Sequence, residues 1–303
     1  MNRYPSPLKS GDKIAIVASA RKVRAEEIQP AFKVLESWGF SPVYGKNLFK
    51  EKNQFAGTDE ERLADLQEAL NDDSVRAILF ARGGYGSVRI VDGINWTNFN
   101  KNPKWLIGFS DITVFHSHVH SHHNICTLHG PMGITFQNDE SNYLESVQSV
   151  LLGNPVSFQL ESNHKNKAGK ATAQLVGGNL SMLYSLLGSP SDINTNGKIL
   201  FIEDLDEYLY HIDRMMMNLK RNGKLNKLSG LIVGGISDMR DNEIKFGKTA
   251  EQIILEHVEE FDYPIAFDFE AGHIKRNNAL ILGDEVTLEV ADKTTLTFSY
   301  GRA

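Results

Sequence analysis

Short, nearly uninterrupted apolar runs alternate with amphipathic stretches through the first 140 residues of the chain. Each run has the length of a buried strand, and the stretches between the runs carry apolar residues at helical spacing. The predicted strands lie at residues 14–17, 42–44, 77–80 and 105–107, and predicted helices lie at residues 25–38 and 112–123. Strands that are apolar throughout and alternate with helices predict an α/β fold, with a parallel sheet covered on both faces.

One further helix is indicated by its first turn. Thr58 is followed three residues later by Glu61, which is the pattern of a capping box at a helix N-terminus. Leu63, Leu66 and Leu70 then share one face of the predicted helix. The sequence therefore predicts a helix between the second and third strands.

The alternation changes after about residue 140. Residues 154–170 are polar and poor in apolar side chains, which is typical of a linker or a surface excursion. We therefore predict a first domain at residues 1–155, a linker at 156–172 and a second α/β domain at 173–303.

The second predicted domain ends in a region rich in strands. Its predicted helices lie near residues 180–187, 206–221 and 248–260, and its predicted strands lie at 199–202, 231–233, 265–267, 279–282, 286–290 and 295–298. Gly283 and Asp284 lie between two of these strands and predict a hairpin turn there.

The composition is that of a soluble globular protein, with 41% hydrophobic and 23% charged residues among 303. The formal net charge is −6, from 32 basic and 38 acidic residues, so no nucleic-acid partner is predicted. The single cysteine, Cys126, excludes an internal disulfide and a cysteine-rich zinc site. Because Cys126 lies in an apolar run, we expect a buried and unreactive thiol.

Neither a secretion signal nor a membrane span is predicted. The first seven residues lack an apolar core, and the apolar run at residues 14–17 is too short to serve as one. No run approaches the ~20 apolar residues that a spanning helix needs. We therefore expect a cytoplasmic protein with no membrane partner.

The segment Gly108-Phe109-Ser110-Asp111 lies between a predicted strand and a predicted helix. A serine at such a turn is held out of the sheet, beside the free N–H groups and the positive end of a helix dipole. This geometry suits a serine nucleophile, because negative charge that develops on the substrate meets backbone donors. Alternatively, Ser110 is only the N-cap of the next helix, since Ser and Asp are favoured capping residues.

A glycine-rich segment, RGGYGS at residues 82–87, follows the strand at 77–80. Glycines let the backbone approach a ligand closely and turn N–H groups toward an anion. The segment lacks both the lysine of a phosphate loop and the spacing of a dinucleotide fingerprint. Its spacing is equally compatible with an oxyanion-binding role and with an ordinary tight turn.

Two polar groups of the second predicted domain also follow strands. Glu203 comes directly after an apolar run, and Asp204 and Asp206 beside it are available as helix caps. His273 follows a later strand, where an imidazole has the titration range of a general base, although a lone histidine is more often structural or exposed.

Ser110, Glu203 and His273 therefore follow one another along the chain, each near the carboxyl end of a predicted strand, where open α/β sheets bind ligands. A serine hydroxyl is a poor nucleophile until an imidazole takes its proton, and a carboxylate orients that imidazole. The three residues supply the three roles.

Seven segments together resemble the LD-carboxypeptidase family, the serine peptidases that include murein tetrapeptide carboxypeptidases and microcin C immunity peptidases. They are RGGYG (82–86), GFSD (108–111), LHGP (128–131), GGNL (177–180), IED (202–204), YHIDR (210–214) and GH (272–273). They occur in order along nearly the whole chain, and together they are specific although each alone is weak.

The resemblance implies a catalytic triad of Ser110, His273 and Glu203. It also implies an oxyanion hole made by the backbone N–H groups of Gly84 and Asp111. The implied fold is an N-terminal flavodoxin-like domain joined to a smaller C-terminal α/β domain, commonly as a homodimer. No cofactor and no metal belong to this chemistry.

The turn around Ser110 differs from that of α/β-hydrolases, because Ile112 stands where their second glycine lies. A carboxypeptidase must also bind a terminal carboxylate, which an arginine or free N–H groups recognise best. Arg82 and Gly83 lie in the glycine-rich segment nearest to Ser110 along the chain, so they are our candidates for this contact.

Five histidines follow the candidate nucleophile on the predicted helix: His116, His118, His120, His122 and His123. The first and third are four residues apart, as metal ligands on a helix often are. No glutamate completes a zinc-peptidase motif, and a polar or interface face of the helix is the alternative that we favour.

The sequence thus predicts a serine carboxypeptidase that cleaves an L,D-amide bond, most readily the one that holds the terminal D-alanine of a murein tetrapeptide. The rival within the family is a microcin C-type immunity peptidase acting on a peptidyl-nucleotide. Those members tend to carry an aromatic residue in a longer loop before the GGN segment. In this chain, residues 157–174 have Phe158 and no tryptophan. A rival of another class is a non-enzymatic ligand-binding protein on a flavodoxin-like scaffold.

Overall fold

Two mixed sheets and the helices packed on them form the molecule. The computed structural model describes residues 3–138 and 143–301. The strands are β1 (Lys13–Val17), β2 (Ser41–Tyr44), β3 (Val75–Phe80), β4 (Trp105–Gly108), β5 (Thr127–His129), β6 (Ser157–Glu161), β7 (Gly169–Asn179), β8 (Ile199–Leu205), β9 (Gly230–Ser237), β10 (Ile265–Ala266), β11 (Leu280–Leu282), β12 (Glu285–Val290) and β13 (Lys293–Phe298). The helices are α1 (Ala25–Ser37), α2 (Asp59–Asn71), α3 (Thr97–Lys101), α4 (Thr113–His123), α5 (Leu144–Leu151), α6 (Leu180–Leu186), α7 (Leu209–Arg221) and α8 (Ala250–Val258).

The first sheet has the strand order β11-β5-β4-β3-β1-β2. Strands β1 to β5 are parallel to one another, and β11 closes the far edge in the antiparallel direction. The order of the five parallel strands is that of flavodoxin-like folds, whose ligands bind outside the carboxyl ends of the strands. The predicted α/β fold with a parallel first sheet is confirmed.

The first turn of α2 forms as the sequence predicts. Thr58 Oγ1 accepts a hydrogen bond from the N–H of Glu61 at 3.2 Å, and the Glu61 carboxylate accepts one from the N–H of Thr58 at 2.9 Å. This reciprocal pair satisfies two N–H groups that a helix start otherwise leaves unbonded.

The second sheet has the order β10-β9-β8-β7-β12-β13-β6. Strands β7 to β10 are parallel to their neighbours, whereas β12, β13 and β6 pair in the antiparallel direction. The long strand β7 pairs through its first half with β12 and through its second half with β8. It thereby joins a polar, half-exposed hairpin region to a fully buried parallel region.

The connections between the two sheets differ from two expectations. The segment predicted as a linker at residues 156–172 contains β6 and the start of β7, because its alternating residues cover one face of the second sheet. Gly283 and Asp284 do not form a hairpin turn: β11 before them belongs to the first sheet and β12 after them to the second. The Gly283 N–H instead donates to the carbonyl of Leu175 at 2.7 Å, where the chain crosses between the sheets.

The two sheets share one hydrophobic core. A continuous cluster of buried side chains includes Ile14 and Ile107 of the first sheet and Leu175 and Phe201 of the second. Cys126 belongs to the same cluster, and burial raises the pKa of its thiol far above the ordinary value, as expected for an unreactive cysteine. Among the helices of the described ranges, none combines the length and the apolar composition needed to cross a bilayer.

Candidate active site

Ser110 occupies a sharp turn between β4 and α4. Its φ is 63°, in the left-handed region that residues with a side chain rarely adopt. A short 3-10 turn over Ser110–Ile112 then leads into α4, whose N-cap residue, Ile112, makes no side-chain capping bond. The Ser110 hydroxyl forms no hydrogen bond to another described residue. The capping alternative therefore finds no support, and a strained serine with an unbonded hydroxyl is typical of a nucleophile.

Two glycines leave the space that this turn needs. A Cβ atom on Gly108 would lie 2.9 Å from Ile112 Cγ1. Ile112, which stands where α/β-hydrolases have their second glycine, therefore packs directly against Gly108. A Cβ atom on Gly83 would lie 3.1 Å from Ser110 Oγ. The glycine-rich segment therefore lies against the serine hydroxyl, although the two are 27 residues apart.

Two backbone N–H groups lie near the Ser110 side chain. The N–H groups of Gly84 and Asp111 donate to no other described residue, so both are available to a ligand. The Asp111 carboxylate is buried and accepts a hydrogen bond from the N–H of Ser87 at 2.8 Å. Burial raises the pKa of Asp111. This contact fixes the glycine-rich segment to the serine turn.

A buried arginine holds the other side of the glycine-rich segment. The Arg62 guanidinium donates to the carbonyl of Gly86 at 3.1 Å and to the carbonyl of Ser19, and it also pairs with Asp59. Burial lowers the pKa of Arg62. The segment is thus held from both sides, which pre-organises its N–H groups.

Glu203 and the half-buried His273 form a hydrogen-bonded carboxylate–imidazole pair. Glu203 lies in β8, next to a register irregularity between Ile202 and Asp204, and it is completely buried. Its Oε2 atom accepts hydrogen bonds from His273 Nδ1 at 2.6 Å and from the His273 backbone N–H at 3.1 Å. The carboxylate therefore fixes both the position and the ring orientation of His273.

The charges of this pair shift both of its pKa values. Burial alone raises the pKa of Glu203, but the neighbouring imidazoles of His273 and His129 outweigh it and lower that pKa to about 2. Burial also lowers the pKa of His273, yet the charge and the hydrogen bond of Glu203 reverse this, and the pKa of His273 is raised from 6.5. The imidazole is consequently a stronger base than a free histidine.

A ring contact places His273 near the serine turn, and the backbone around His273 is held by close packing and a hydrogen bond. The ring centroids of Phe109, which directly precedes Ser110, and His273 are 4.7 Å apart. Gly272 has a φ of 103°, and a Cβ atom on it would lie 2.6 Å from Glu203 Oε2. Ser237 Oγ donates to the carbonyl of His273 at 2.7 Å. The structure thus brings the three residues of the predicted triad to one region between the two sheets.

Residues that the sequence did not assign to the site also lie beside it. Thr113 Oγ1 accepts a hydrogen bond from the N–H of Asn179 at 3.0 Å, which ties α4 to the GGN segment. The Asp204 carboxylate accepts hydrogen bonds from Asn179 Nδ2 at 3.0 Å and from the N–H of Ser181 at 2.8 Å. Burial and the charge of Glu203 raise the pKa of Asp204 to about 7. The GGN and IED motifs contained the sequence signal for these contacts.

The acidic residues after Glu203 do not cap the helix that follows them, contrary to the sequence interpretation. Asp204 binds the first turn of α6 instead, and Asp206 pairs with Arg240. The N-cap residue of α7, Tyr208, makes no side-chain capping bond. Glu203 is therefore distinguished from its neighbours by its partner, His273.

Two arginines flank the glycine-rich segment. Arg82 is half-buried, and its guanidinium has no hydrogen-bond or ion-pair partner among the described residues. Arg21, which the sequence interpretation missed, follows β1, and its Cδ atom would lie 2.6 Å from a Cβ atom on Gly84. Its guanidinium likewise has no described partner. Only the topology, which aligns the ends of β1 and β3, brings Arg21 to this edge.

The histidines of α4 bind other protein groups. His116 Nε2 contacts the carbonyl of Gly108 at 2.8 Å, and His118 Nδ1 contacts Ser191 Oγ at 2.9 Å. Within residues 3–138 and 143–301, no three metal-binding side chains are grouped closely enough to hold an ion. These contacts are those of a packed helix that joins the two sheets.

Two family models together match most of the chain. Residues 14–130 match the LD-carboxypeptidase N-terminal domain, and residues 172–288 match the LD-carboxypeptidase C-terminal domain. A probable murein peptide carboxypeptidase of Bacillus subtilis is 36% identical over 301 residues, which cover 98% of this chain and 94% of that protein.

Solved structures share the fold. The muramoyltetrapeptide carboxypeptidase of Oxalobacter formigenes superposes with a TM-score of 0.86 at 28% identity, covering 94% of this chain and 98% of that one. The microcin C7 self-immunity protein in complex with aspartyl sulfamoyl adenosine gives a TM-score of 0.86 at 22% identity, over 97% of both chains, and shows likeness of fold alone.

The chain belongs to the LD-carboxypeptidase family. The protein is accordingly a serine-type peptidase and a hydrolase, as the sequence predicted.

Proposed function

We propose that the protein removes the terminal D-alanine from murein tetrapeptides, with Ser110, His273 and Glu203 as its catalytic triad. The observation that carries the proposal is the hydrogen bond of 2.6 Å between His273 and the buried Glu203, beside the strained turn of Ser110. A base oriented by a carboxylate and an unbonded serine hydroxyl are the parts that acyl transfer needs.

The reaction follows from these positions. His273 Nε2 takes the proton of Ser110 Oγ as the oxygen attacks the carbonyl carbon of the L,D-amide bond. The N–H groups of Gly84 and Asp111 stabilise the tetrahedral oxyanion. His273 then gives its proton to the departing amine of the D-amino acid, and water activated by His273 hydrolyses the acyl-enzyme. Glu203 stays ionised throughout, because its pKa lies near 2.

Arg82 is our candidate for the group that binds the terminal carboxylate of the substrate. It is half-buried and has no described protein partner, so an anion would supply the missing charge. Gly83 beside it leaves room for the peptide next to Ser110 Oγ.

Specificity for that carboxylate can be tested directly. Arg82→Ala should lower kcat/KM by about 10- to 100-fold, mainly through KM, because a charge-assisted hydrogen bond of ~1.5–3 kcal/mol is lost. The wild-type enzyme should cleave the free acid in preference to the C-terminal amide, and the variant should lose this preference. An unchanged preference in Arg82→Ala would assign the carboxylate to another group.

The activity itself is tested by mass spectrometry of a muropeptide mixture before and after incubation with the protein. We expect loss of the mass of D-alanine from tetrapeptides, no loss with Ser110→Ala, and no effect of EDTA, since the base is an imidazole and not a metal-bound water. A peptide ending in L-alanine should be cleaved poorly. A binding protein without catalysis would leave the muropeptide mixture unchanged. Its Ser110 would also stay unlabelled when the protein is treated with a phosphonofluoridate.

The same assay separates the rival within the family. Cleavage of a peptidyl-nucleotide in place of tetrapeptides would indicate the immunity peptidase. Phe158, the aromatic residue of the segment before the GGN motif, packs on Phe269 and Phe298 with ring centroids 5.8 and 6.2 Å away, which supports the muropeptide proposal. The proposal includes a cytoplasmic location and a homodimer, and light scattering of the purified protein tests the latter.

A further inference from the structure

His129 lies at the end of β5 and is completely buried. Its ring is enclosed by Phe109, Phe201 and His116, with ring centroids 5.9, 4.9 and 6.4 Å away. Neither of its ring nitrogens has a hydrogen-bond partner among the described residues. Since a buried polar group is normally hydrogen-bonded, the position of this imidazole calls for an explanation.

The ring of His129 faces the carboxylate of Glu203. His129 Nε2 is 4.0 Å from Oε1 of Glu203, and that oxygen is also buried without a hydrogen-bond partner. The other oxygen of the same carboxylate, Oε2, binds His273. One buried carboxylate therefore has an imidazole near each of its oxygens: His129 near Oε1 and His273 at Oε2.

We propose that His129 is a positioning residue that acts on the catalytic base through Glu203. The N–H group at its Nε2 donates to Glu203 Oε1 once the gap of 4.0 Å closes to the usual hydrogen-bond distance of about 3 Å. Catalytic hydrogen bonds are often long without substrate and tighten when it binds. The proposal rests on the roles given above to Glu203 and His273.

The hydrogen bond would fix the rotation of the carboxylate. With Oε1 held by His129, Oε2 stays directed at His273 Nδ1, and the imidazole keeps the orientation that presents Nε2 to Ser110. Without it, Glu203 is held from one side only. A loss of alignment of this kind lowers the rate of the chemical step more than the affinity for substrate.

The contact also joins the two sheets at the site. His129 pairs in register with Gly108, the residue from which the serine turn begins, whereas Glu203 belongs to the second sheet. His129 thus connects the strand that leads to the serine turn with the strand that contains the carboxylate.

Three variants test the proposal by activity. His129→Phe keeps a ring in the aromatic surroundings but removes the donor, and it should lower kcat by about 10- to 100-fold with little change in KM. His129→Gln places an amide N–H near the position of Nε2 and should recover a large part of this loss. His118→Phe, a buried histidine of the same domain that stacks on Trp96, is the matched control and should leave kcat unchanged. Equal kcat in wild type and His129→Phe would overturn the proposal.

A measurement on the unmodified enzyme keeps the test independent of folding of the variants. Nitrogen-15 NMR of the histidines should find His129 protonated on Nε2, and proton NMR should find the His273 Nδ1 proton at low field because of its short bond to Glu203. Protonation of His129 on Nδ1 alone would overturn the proposal, since Nε2 would then have nothing to donate. Neither result depends on the substrate, so failure of the tetrapeptide assay would be recognised separately.

Discussion

The serine turn and the carboxylate–histidine pair are held in place by different physical means. Ser110 is positioned by backbone geometry, with a φ of 63° and with Gly83 at a place where a Cβ atom would crowd its side chain. Glu203 and His273 are positioned by charge, inside a region where burial strengthens every electrostatic interaction. One half of the site depends on shape, whereas the other half depends on ionisation.

The difference predicts which changes each half tolerates. At the serine turn, a substitution that conserves charge but adds volume should be harmful. At the pair, a substitution that conserves volume but removes charge should be harmful. The first three predictions below test this contrast, and the fourth concerns a histidine outside both halves; they run from the largest expected effect to the smallest.

Removal of the nucleophile should have the largest effect. Ser110→Ala and Ser110→Gly should each lower kcat by about 10⁴- to 10⁶-fold, because no other group can form the acyl-enzyme. Ser110→Gly should also raise the free energy of unfolding, by up to about 1 kcal/mol, since glycine adopts a positive φ without strain. Kinetics and urea unfolding of both variants measure this. Wild-type turnover in Ser110→Ala would falsify the mechanism.

Removal of the charge of Glu203 should have the next largest effect. Glu203→Gln should lower kcat by about 10²- to 10⁴-fold, because an amide holds the imidazole less well and does not stabilise its charged form. In the wild-type enzyme kcat/KM should rise with pH through an apparent pKa above 6.5, since His273 must be neutral to accept a proton and Glu203 raises its pKa. In the variant this limb should move to lower pH. An unmoved limb would show that charge does not position this half.

Addition of one methyl group at the serine turn should have a smaller effect. In Gly83→Ala the new Cβ atom would lie 3.0 Å from Ser110 Cβ and 3.1 Å from its Oγ, so one of the two must shift by a few tenths of an ångström. We expect kcat to fall by about tenfold, with the pH dependence unchanged. A shifted pH profile in this variant would contradict the contrast between the two halves.

The smallest predicted effect concerns the histidines away from the pair. Burial and the neighbouring His122 and His123 lower the pKa of His118 to about 4, the opposite direction to His273, which has a carboxylate beside it. The unfolded chain binds this proton near pH 6.5, so stability that is present above pH 6.5 is lost as the pH falls toward 4. The Tm of His118→Phe should consequently fall less steeply than that of wild type over this interval, which differential scanning calorimetry would detect.

Much of the secondary structure could be predicted from local sequence. Some signals extend over only a few residues and can be read from the local sequence. They are the capping box of Thr58 and Glu61 and the apolar runs of β1, β3 and β4. The prediction of a hairpin turn at Gly283 was wrong, because the pairing partners of β11 and β12 are strands distant in the sequence. Pairing over such distances leaves no short-range pattern.

The residues of the candidate triad were also predicted from sequence, but their environment was not. The residue types and their order along the chain selected Ser110, Glu203 and His273 for the chemistry that they can perform. The place of Arg21 beside the glycine-rich segment depends on the alignment of strand ends, and the candidate role of His129 depends on the packing of the two sheets.

The sequence by itself determined the fold class and the family, and it selected the candidates for nucleophile, base and orienting carboxylate, because these depend on periodicity, motifs and side-chain chemistry. The tertiary structure decided how those residues are held. Whether Ser110 caps a helix, whether an imidazole becomes a stronger or a weaker base, and which groups share a buried carboxylate all depend on neighbours far apart along the chain. Burial and distance set those energies, and both exist only after the two sheets have packed together.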